Sequence, residues 1–141
     1  MIKVVLDANV LVSGLISRRG PPGRILDAWT NGDIQLCYSP QILDELKRVL
    51  CYPRIQERLQ ENQGEAILKL ILTGAELIKG ELKLKVLTRD PSDNIYLACA
   101  IEAKADYLVT GNSDHFEEAG KKYRGVSIIT PRAFLDIIRS E

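Results

Sequence analysis

Short apolar runs alternate along the chain with segments in which apolar residues recur every three or four positions. The first pattern is typical of buried strands and the second of amphipathic helices. Strands that alternate with helices predict an α/β fold, with a mainly parallel sheet covered on both faces. The runs of strand length are Ile2–Leu6, Ile34–Tyr38, Tyr107–Thr110 and Val126–Ile129, with shorter candidates at Glu76–Ile78 and Leu84–Leu87.

Helix signals occupy the segments between these runs. Ser39-Pro40 combines a favoured N-cap with proline at the first helical position, and it predicts a helix to about Cys51. The Gly- and Pro-rich segment Arg18–Gly23 is predicted to be a loop. The other predicted helices cover Val10–Ile16, Arg24–Thr30, a short stretch from Pro53, Gln63–Gly74, Asp90–Ala105, Ser113–Ala119 and Pro131–Arg139.

Composition limits the class of protein. A chain of 141 residues with 45% apolar residues can bury one core, so we expect a single domain over residues 1–141. We expect no membrane span and no signal peptide, because no apolar segment has the required length or flanks. The three cysteines share no metal-ligand spacing, and free thiols fit a reducing cytoplasm.

The charge balance removes one general argument for nucleic-acid binding. The chain has 19 basic and 19 acidic residues, so its formal net charge is zero. Proteins that bind nucleic acids through their overall charge are strongly basic. Any nucleic-acid binding by this chain must therefore rest on a local basic patch.

Four acidic residues occupy positions typical of functional sites. Asp7 directly follows the first strand, Asp114 follows Tyr107–Thr110, Asp93 lies near a helix start, and Glu45 lies inside a helix. Open α/β sheets keep their sites at the carboxyl ends of their strands. Converging carboxylates repel one another unless a hard divalent cation neutralises them, which indicates Mg²⁺ or Mn²⁺. The arrangement predicts phosphodiester chemistry.

Each of these acids also has a purely structural interpretation. Asp7 can cap the helix that follows it. Asp93 and Asp114 can be acids that stabilise the first turn of a helix. Glu45 lies at the flank of an apolar stripe of its helix. From there its side chain can point toward the strand ends or form a surface ion pair with a neighbour such as Arg48. The joint pattern of the four acids favours the functional interpretation.

Four segments together make the chain resemble a PIN domain from end to end. It is most similar to the subgroup described as toxin components of toxin–antitoxin pairs. Each motif is short, and the resemblance rests on their order and spacing. The matching segments are Val4–Val10, Ser39–Leu46, Arg89–Asn94 and Leu108–Asp114.

The resemblance implies a fold, an activity and partners. The implied fold is a compact three-layer α/β/α sandwich with about four to five strands in a mainly parallel sheet. The implied activity is that of a nuclease that depends on Mg²⁺ or Mn²⁺ and acts on single-stranded RNA. The resemblance also implies a cognate antitoxin and a homodimer, for which Leu46, Leu50 and Ile55 are candidate contact residues.

Individual family residues map onto this chain. Asn9 resembles the polar residue that supports the first acid, and Thr110 the hydroxyl that precedes the last. Asn112 stands where many relatives carry an acid directly after the Thr-Gly pair, and it joins the supporting residues. The family's acidic quartet maps onto Asp7, Glu45, Asp93 and Asp114.

A mechanism follows as a hypothesis. Asp7, Asp93 and Asp114 would hold one or two metal ions, which would activate a water toward the phosphate. Glu45 would position or deprotonate that water or act as a further ligand, and the sequence leaves these roles open. Surface charges are usually only solvated, which is the alternative to phosphate binding by four nearby arginines. These candidates are Arg18, Arg19, Arg24 and Arg89.

Other classes of protein fit the sequence less well. A phosphoacceptor receiver domain needs a lysine after its last strand, where this chain has Thr130-Pro131. A dinucleotide-binding enzyme needs a glycine fingerprint after the first strand, where this chain has Asp7-Ala8-Asn9. The remaining alternative is a catalytically weak PIN-like module that binds RNA or protein.

Overall fold

A computed structural model describes residues 1–84, 93–111 and 122–140. Its strands form one six-stranded sheet in the order β3-β2-β1-β4-β6-β5. All neighbouring strands are parallel except β5 and β6. The strands are β1 (Ile2–Leu6), β2 (Ile34–Tyr38), β3 (Glu76–Leu77), β4 (Tyr107–Val109), β5 (Lys122–Tyr123) and β6 (Val126–Ile129).

Helices connect the strands and cover both faces of the sheet. Because crossovers between parallel strands are right-handed as a rule, the reversal of strand order between β1 and β4 places the helices of the two halves on opposite faces. The predicted α/β sandwich is therefore confirmed. The helices in the described ranges are α1 (Ala8–Ile16), α2 (Pro21–Thr30), α3 (Pro40–Leu50), α4 (Pro53–Gln56), α5 (Gln63–Gly74), α6 (Asn94–Ala103) and α7 (Pro131–Arg139).

The sequence predicted most element positions and missed two features. The loop predicted over Arg18–Gly23 ends early, because α2 already begins at Pro21 with Gly20 as its N-cap. Proline is well suited to a first helical turn, where its missing N–H would have no partner. The edge strand β5 was not predicted, and it and β3 are only two residues long. The predicted Ser113–Ala119 helix and most of the Leu84–Leu87 strand lie outside the described residues.

The central strands and the inner faces of the helices form the hydrophobic core. Leu46 and Leu50 of α3 are buried in it, so the interpretation of these two as dimer contacts is wrong. Both residues belong to the apolar face with which α3 packs into the core. Burial raises the pKa of Cys37 and of Cys99 to about 12, so both thiols stay protonated and behave as small apolar groups.

The register aligns the carboxyl ends of the central strands. Leu6 pairs with Val109, and Val109 pairs with Ile129, so the residues that follow these strands lie side by side. The strand order reverses between β1 and β4, which is the switch point where open α/β sheets form a crevice. In the described segments, no helix is both long enough and apolar enough to cross a membrane.

We expect Gly23→Ala to destabilise the fold strongly. A Cβ at this position of α2 would overlap backbone atoms of Arg18, which cannot move without shifting the preceding turn. We expect a loss of about 2 kcal/mol or more in the free energy of unfolding, measured by urea titration. Gly64→Ala on α5 is the matched control, because its Cβ would lie 3.8 Å from Leu50 and alanine favours a helix by about 0.5–1 kcal/mol. Equal stability of the two variants would contradict this packing argument.

Candidate active site

Buried polar side chains gather at the carboxyl edge of the sheet. Asp7 follows β1, Ser39 follows β2, Thr110 follows β4, and Asp93 is the N-cap residue of α6. These four are the buried polar or charged residues among those that the structure describes. Because burying a polar group without a partner is unfavourable, such a concentration indicates a built site.

Asp7 is held from two sides. Its Oδ1 accepts the backbone N–H of Asn9 at 2.7 Å, and its Oδ2 accepts the hydroxyl of Thr110 at 2.7 Å. Its own N–H donates to the carbonyl of Val109 at 3.1 Å, which extends the pairing of β1 with β4. Asp7 therefore does cap α1, and the same contacts fix the direction of its carboxylate.

The environment of Asp7 disfavours its charge. The carboxyl group is 2% exposed, and burial raises its pKa above the usual value. The hydrogen bonds from Thr110 and Asn9 oppose this rise, whereas the negative charge of Glu45 adds to it. No basic side chain in the described part of the chain forms an ion pair with Asp7. A buried carboxylate with neutral donors and a second acid nearby is the environment that a bound cation stabilises.

Glu45 faces this site and also forms a local ion pair. Its side chain is 19% exposed and binds Arg48 one turn later on α3. Its negative charge nevertheless contributes to the raised pKa of Asp7, after the larger effect of burial. The ion-pair interpretation of Glu45 is therefore confirmed, whereas its role at the site stays a prediction.

Tyr96 is a site residue that the sequence analysis missed. Its hydroxyl accepts the backbone N–H of Ala8 at 3.3 Å and so ties α6 to the start of α1. Burial raises its pKa, and the charges of Asp7, Glu45 and Asp93 raise it further. Tyr96 thus lies within electrostatic reach of all three acids. The available signal was its position three residues after Asp93, because residues at this spacing share a helix face.

We call Asp7, Glu45, Asp93 and Tyr96 the acidic site. Within the described ranges, no group of three or more His, Cys, Asp or Glu side chains is arranged closely enough to hold a metal ion. The fourth predicted acid, Asp114, lies outside those ranges, as does Asn112. The donor set itself suits Mg²⁺ or Mn²⁺, because these hard cations prefer carboxylate oxygen and none of the ion pairs among the described residues neutralises Asp7.

The other predicted site residues differ in what they contact. Thr110 is buried and bonds Asp7, whereas the side chain of Asn9 is exposed and only its backbone N–H reaches the carboxylate. Arg18 forms an ion pair with Asp27. Arg24 donates from Nε to the backbone carbonyl of Arg19 at 3.0 Å.

The phosphate-binding role of the four predicted arginines stays a prediction. Arg18, Arg19 and Arg24 are exposed, and Arg19 and Arg24 line a cavity beside α7. Arg89 lies outside the described residues. Arg18 and Arg19 lie in the connection between α1 and α2, and Arg24 lies in the first turns of α2. The positions of these arginines therefore depend on how the two helices pack.

We expect Tyr96→Phe to lower the stability of the protein without changing its fold. The variant leaves the N–H of Ala8 without its acceptor, which should lower the free energy of unfolding by about 1–2 kcal/mol. Tyr107→Phe is the control, because its ring packs edge-on against Phe134 and its hydroxyl has no hydrogen-bond partner among the described residues. Chemical denaturation of both variants measures the difference, and equal losses would contradict the assigned contact.

We expect Asp7→Asn to stabilise the metal-free protein at neutral pH. The amide can accept from Asn9 and donate to Thr110, so it keeps the contacts and removes the buried charge. The thermal midpoint at pH 7 should rise by roughly 2–6 °C. Because the folded-state pKa of Asp7 is raised, its penalty grows as the pH rises through that pKa and disappears below the unfolded value.

The gain should therefore vanish at about pH 3, where the carboxyl group is protonated in both states. Asp44→Asn on the exposed side of α3 is the control and should show no such pH dependence. A lower midpoint for Asp7→Asn at pH 7 would contradict the electrostatic account.

Comparison with known proteins agrees with this architecture. A family model for the PIN domain matches residues 3–114. The uncharacterized protein MJ1680 of Methanocaldococcus jannaschii is 33% identical over 142 residues, which cover 96% of this chain and 90% of that protein. Two solved structures share the fold at lower sequence identity.

The first is VapBC2 from Rickettsia felis bound to a DNA fragment from their promoter, with a TM-score of 0.57 and 16% identity over 92% of this chain and 98% of that chain. The second is FitAB bound to an IR36 DNA fragment, with a TM-score of 0.57 and 16% identity over 91% of this chain and 94% of that chain. At such identity the two structures support the fold alone. The family model spans most of the chain, and on that evidence the chain belongs to the PIN domain family.

Proposed function

We propose that the protein is a metal-dependent endoribonuclease that cleaves phosphodiester bonds of single-stranded RNA. The observation that carries the proposal is the buried Asp7 carboxylate at the switch point of the sheet, close to the charge of Glu45. PIN domains are nucleases that typically depend on divalent metal ions, and this membership supports the same activity here. We further propose that residues 1–141 act as one nuclease unit.

In this proposal Asp7, Asp93 and Asp114 hold Mg²⁺ or Mn²⁺ through carboxylate oxygens. The bound ion would lower the pKa of a water and neutralise charge that develops on the phosphate. Thr110 and the backbone of Asn9 preset the direction of the Asp7 carboxylate before binding. Such preorganisation removes the need to reorient the ligand when the site fills. Asn112 is proposed as a further polar support.

Glu45 is proposed to position the attacking water and to accept its proton. Its side chain is largely shielded from solvent, and Arg48 holds it from the outer side. This ion pair restricts the carboxylate to few orientations. Tyr96 acts as a positioning residue, since its hydroxyl fixes α1, and hence Asp7, relative to α6 and Asp93.

The biological setting is proposed to be a toxin–antitoxin pair in which this chain is the nuclease. The shared fold with VapBC2 and FitAB supports a cognate antitoxin as partner. We propose a homodimer as the working unit. The free cysteines suit a reducing compartment such as the cytoplasm.

The second candidate is a PIN-like module that binds RNA or protein and cuts weakly. Two observations favour it. Glu45 is engaged by Arg48, and the described residues contain no cluster of three metal ligands. This candidate predicts RNA binding without a metal-dependent activity.

We expect the parent protein to cleave a single-stranded oligoribonucleotide in Mn²⁺ and to lose cleavage in a chelator. Asp93→Asn should lower the rate at least about 100-fold, because it removes a ligand on which the chemical step depends. Asp44→Asn is the matched control, because it removes an exposed carboxylate of α3. This variant should keep the parent rate. Equal residual cutting by Asp93→Asn and the parent would show a contaminant and remove the support for the nuclease.

A thermal shift distinguishes the two candidates without relying on cleavage. Mn²⁺ at about 100 times its dissociation constant stabilises a protein by about 2.7 kcal/mol. The parent should show such a shift, and Asp7→Asn should not. A parent protein without any shift at millimolar Mn²⁺ would favour the binding module.

A further inference from the structure

Four arginines surround one cavity away from the acidic site. The cavity has a volume of about 160 Å³ and lies between the start of α2 and one face of α7. Its apolar wall consists of Pro21 and Leu135. We call it the arginine cavity, and its charged lining is Arg19, Arg24, Arg132 and Arg139.

Among the residues that the structure describes, no acidic side chain lines the arginine cavity. Within the described ranges, none of its four arginines forms an ion pair, and Asp27 nearby is already paired with Arg18. Arg24 uses its Nε on a backbone carbonyl, which leaves its terminal nitrogens available. Four guanidinium groups around one small space repel one another, so a bound anion would stabilise this arrangement.

A neighbouring cavity on the same side has a lining of mixed charge. A larger cavity of about 560 Å³ shares Arg24 and Arg139 with the arginine cavity, but it is also lined by Asp27 and Asp33. Asp33 lies just before β2, at the amino edge of the sheet. Arg132 lies at the start of α7, at the opposite edge. The two cavities share Arg24 and Arg139, but only the arginine cavity has a lining whose charged side chains are all basic among the described residues.

A chain of contacts connects this edge to the acidic site. The hydroxyl of Thr110 bonds Asp7, and the N–H of Thr110 donates to the carbonyl of Ile129 at 3.0 Å. Arg132 follows only three residues after Ile129. Arg139 lies seven residues further along α7, about 10 Å away along the helix axis. Arg132 therefore lies at the carboxyl edge of the sheet, and Arg139 lies at the far end of α7.

We propose that the arginine cavity binds backbone phosphates of single-stranded RNA whose scissile bond lies at Asp7. This inference rests on the proposed function for its choice of substrate. Guanidinium groups bind phosphate oxygens in a bidentate manner. The described lining of the cavity contains no aromatic side chain that could stack a base, so the contact should position the strand without reading its sequence.

The test measures binding of a fluorescent oligoribonucleotide in a chelator, with Asp7→Asn as background so that no strand is cut. Arg132→Gln/Arg139→Gln removes two charges from the cavity. Arg58→Gln/Lys69→Gln removes two charges from exposed positions outside it and is the matched control. Arg132→Lys/Arg139→Lys retains the charge but not the bidentate geometry.

We expect the glutamine pair at the cavity to weaken binding about tenfold at low salt. The slope of log affinity against log salt should fall by about 1.4, because each phosphate contact on a single strand contributes about 0.7. The lysine pair should keep most of the slope, and the control pair should lose much less affinity. Equal affinities and slopes for the two glutamine pairs would overturn the proposal. Unfolding curves confirm that each variant is folded.

A competing occupant is an acidic protein segment, which poly-glutamate represents in the same assay. If the cavity variant loses poly-glutamate binding but keeps RNA binding, the proposal is overturned in favour of an acidic partner. Failure of the proposed function is distinct. A parent that never cleaves RNA but binds it through Arg132 and Arg139 removes the nuclease, and it leaves the phosphate-binding role of the arginine cavity standing without a scissile bond at Asp7.

Discussion

The burial of one negative charge, on Asp7, organises the functional edge of this protein. The carboxylate ends β1 and caps α1, and the hydroxyl of Thr110 joins it to β4. It therefore links three elements on the two sides of the switch point. Its burial disfavours the ionised form, whereas its hydrogen bonds favour it. A bound cation would strongly stabilise the ionised form of such a carboxyl group, because a nearby positive charge offsets the cost of desolvation that the fold imposes.

The remainder of the acidic site is arranged around that charge. Asp93 and Tyr96 lie on one face at the start of helix α6. The Tyr96 hydroxyl accepts the N–H of Ala8, the first residue of α1. Helix α3 brings Glu45, which Arg48 restrains from the solvent side. Each acid thus arrives on a different rigid element. A site built in this way keeps its side-chain directions with little help from loops, which suits a reaction that depends on precise placement.

Charge is distributed locally in a chain whose formal net charge is zero. The buried acids lie at the carboxyl edge of the sheet, and beside α7 lie arginines that form no ion pair with another described residue. An acidic metal site repels a polyanion such as RNA. Separate cationic positions can compensate by holding phosphates at a distance from the reacting bond. A neutral protein can therefore bind a nucleic acid if its opposite charges occupy different surfaces.

The sequence by itself determined the alternation of elements and the place of Asp7. Apolar runs and helix caps are local properties, so the parallel sheet, the Ser39 cap and the final helix followed from short segments. Only the tertiary structure decided which distant groups meet. The hydroxyl of Tyr96 bonds the N–H of Ala8 across 88 residues, and Arg132 and Arg24 line one cavity from two different helices. Such contacts depend on crossing angles and register, which arise from packing of the whole core and leave no periodic trace in the chain.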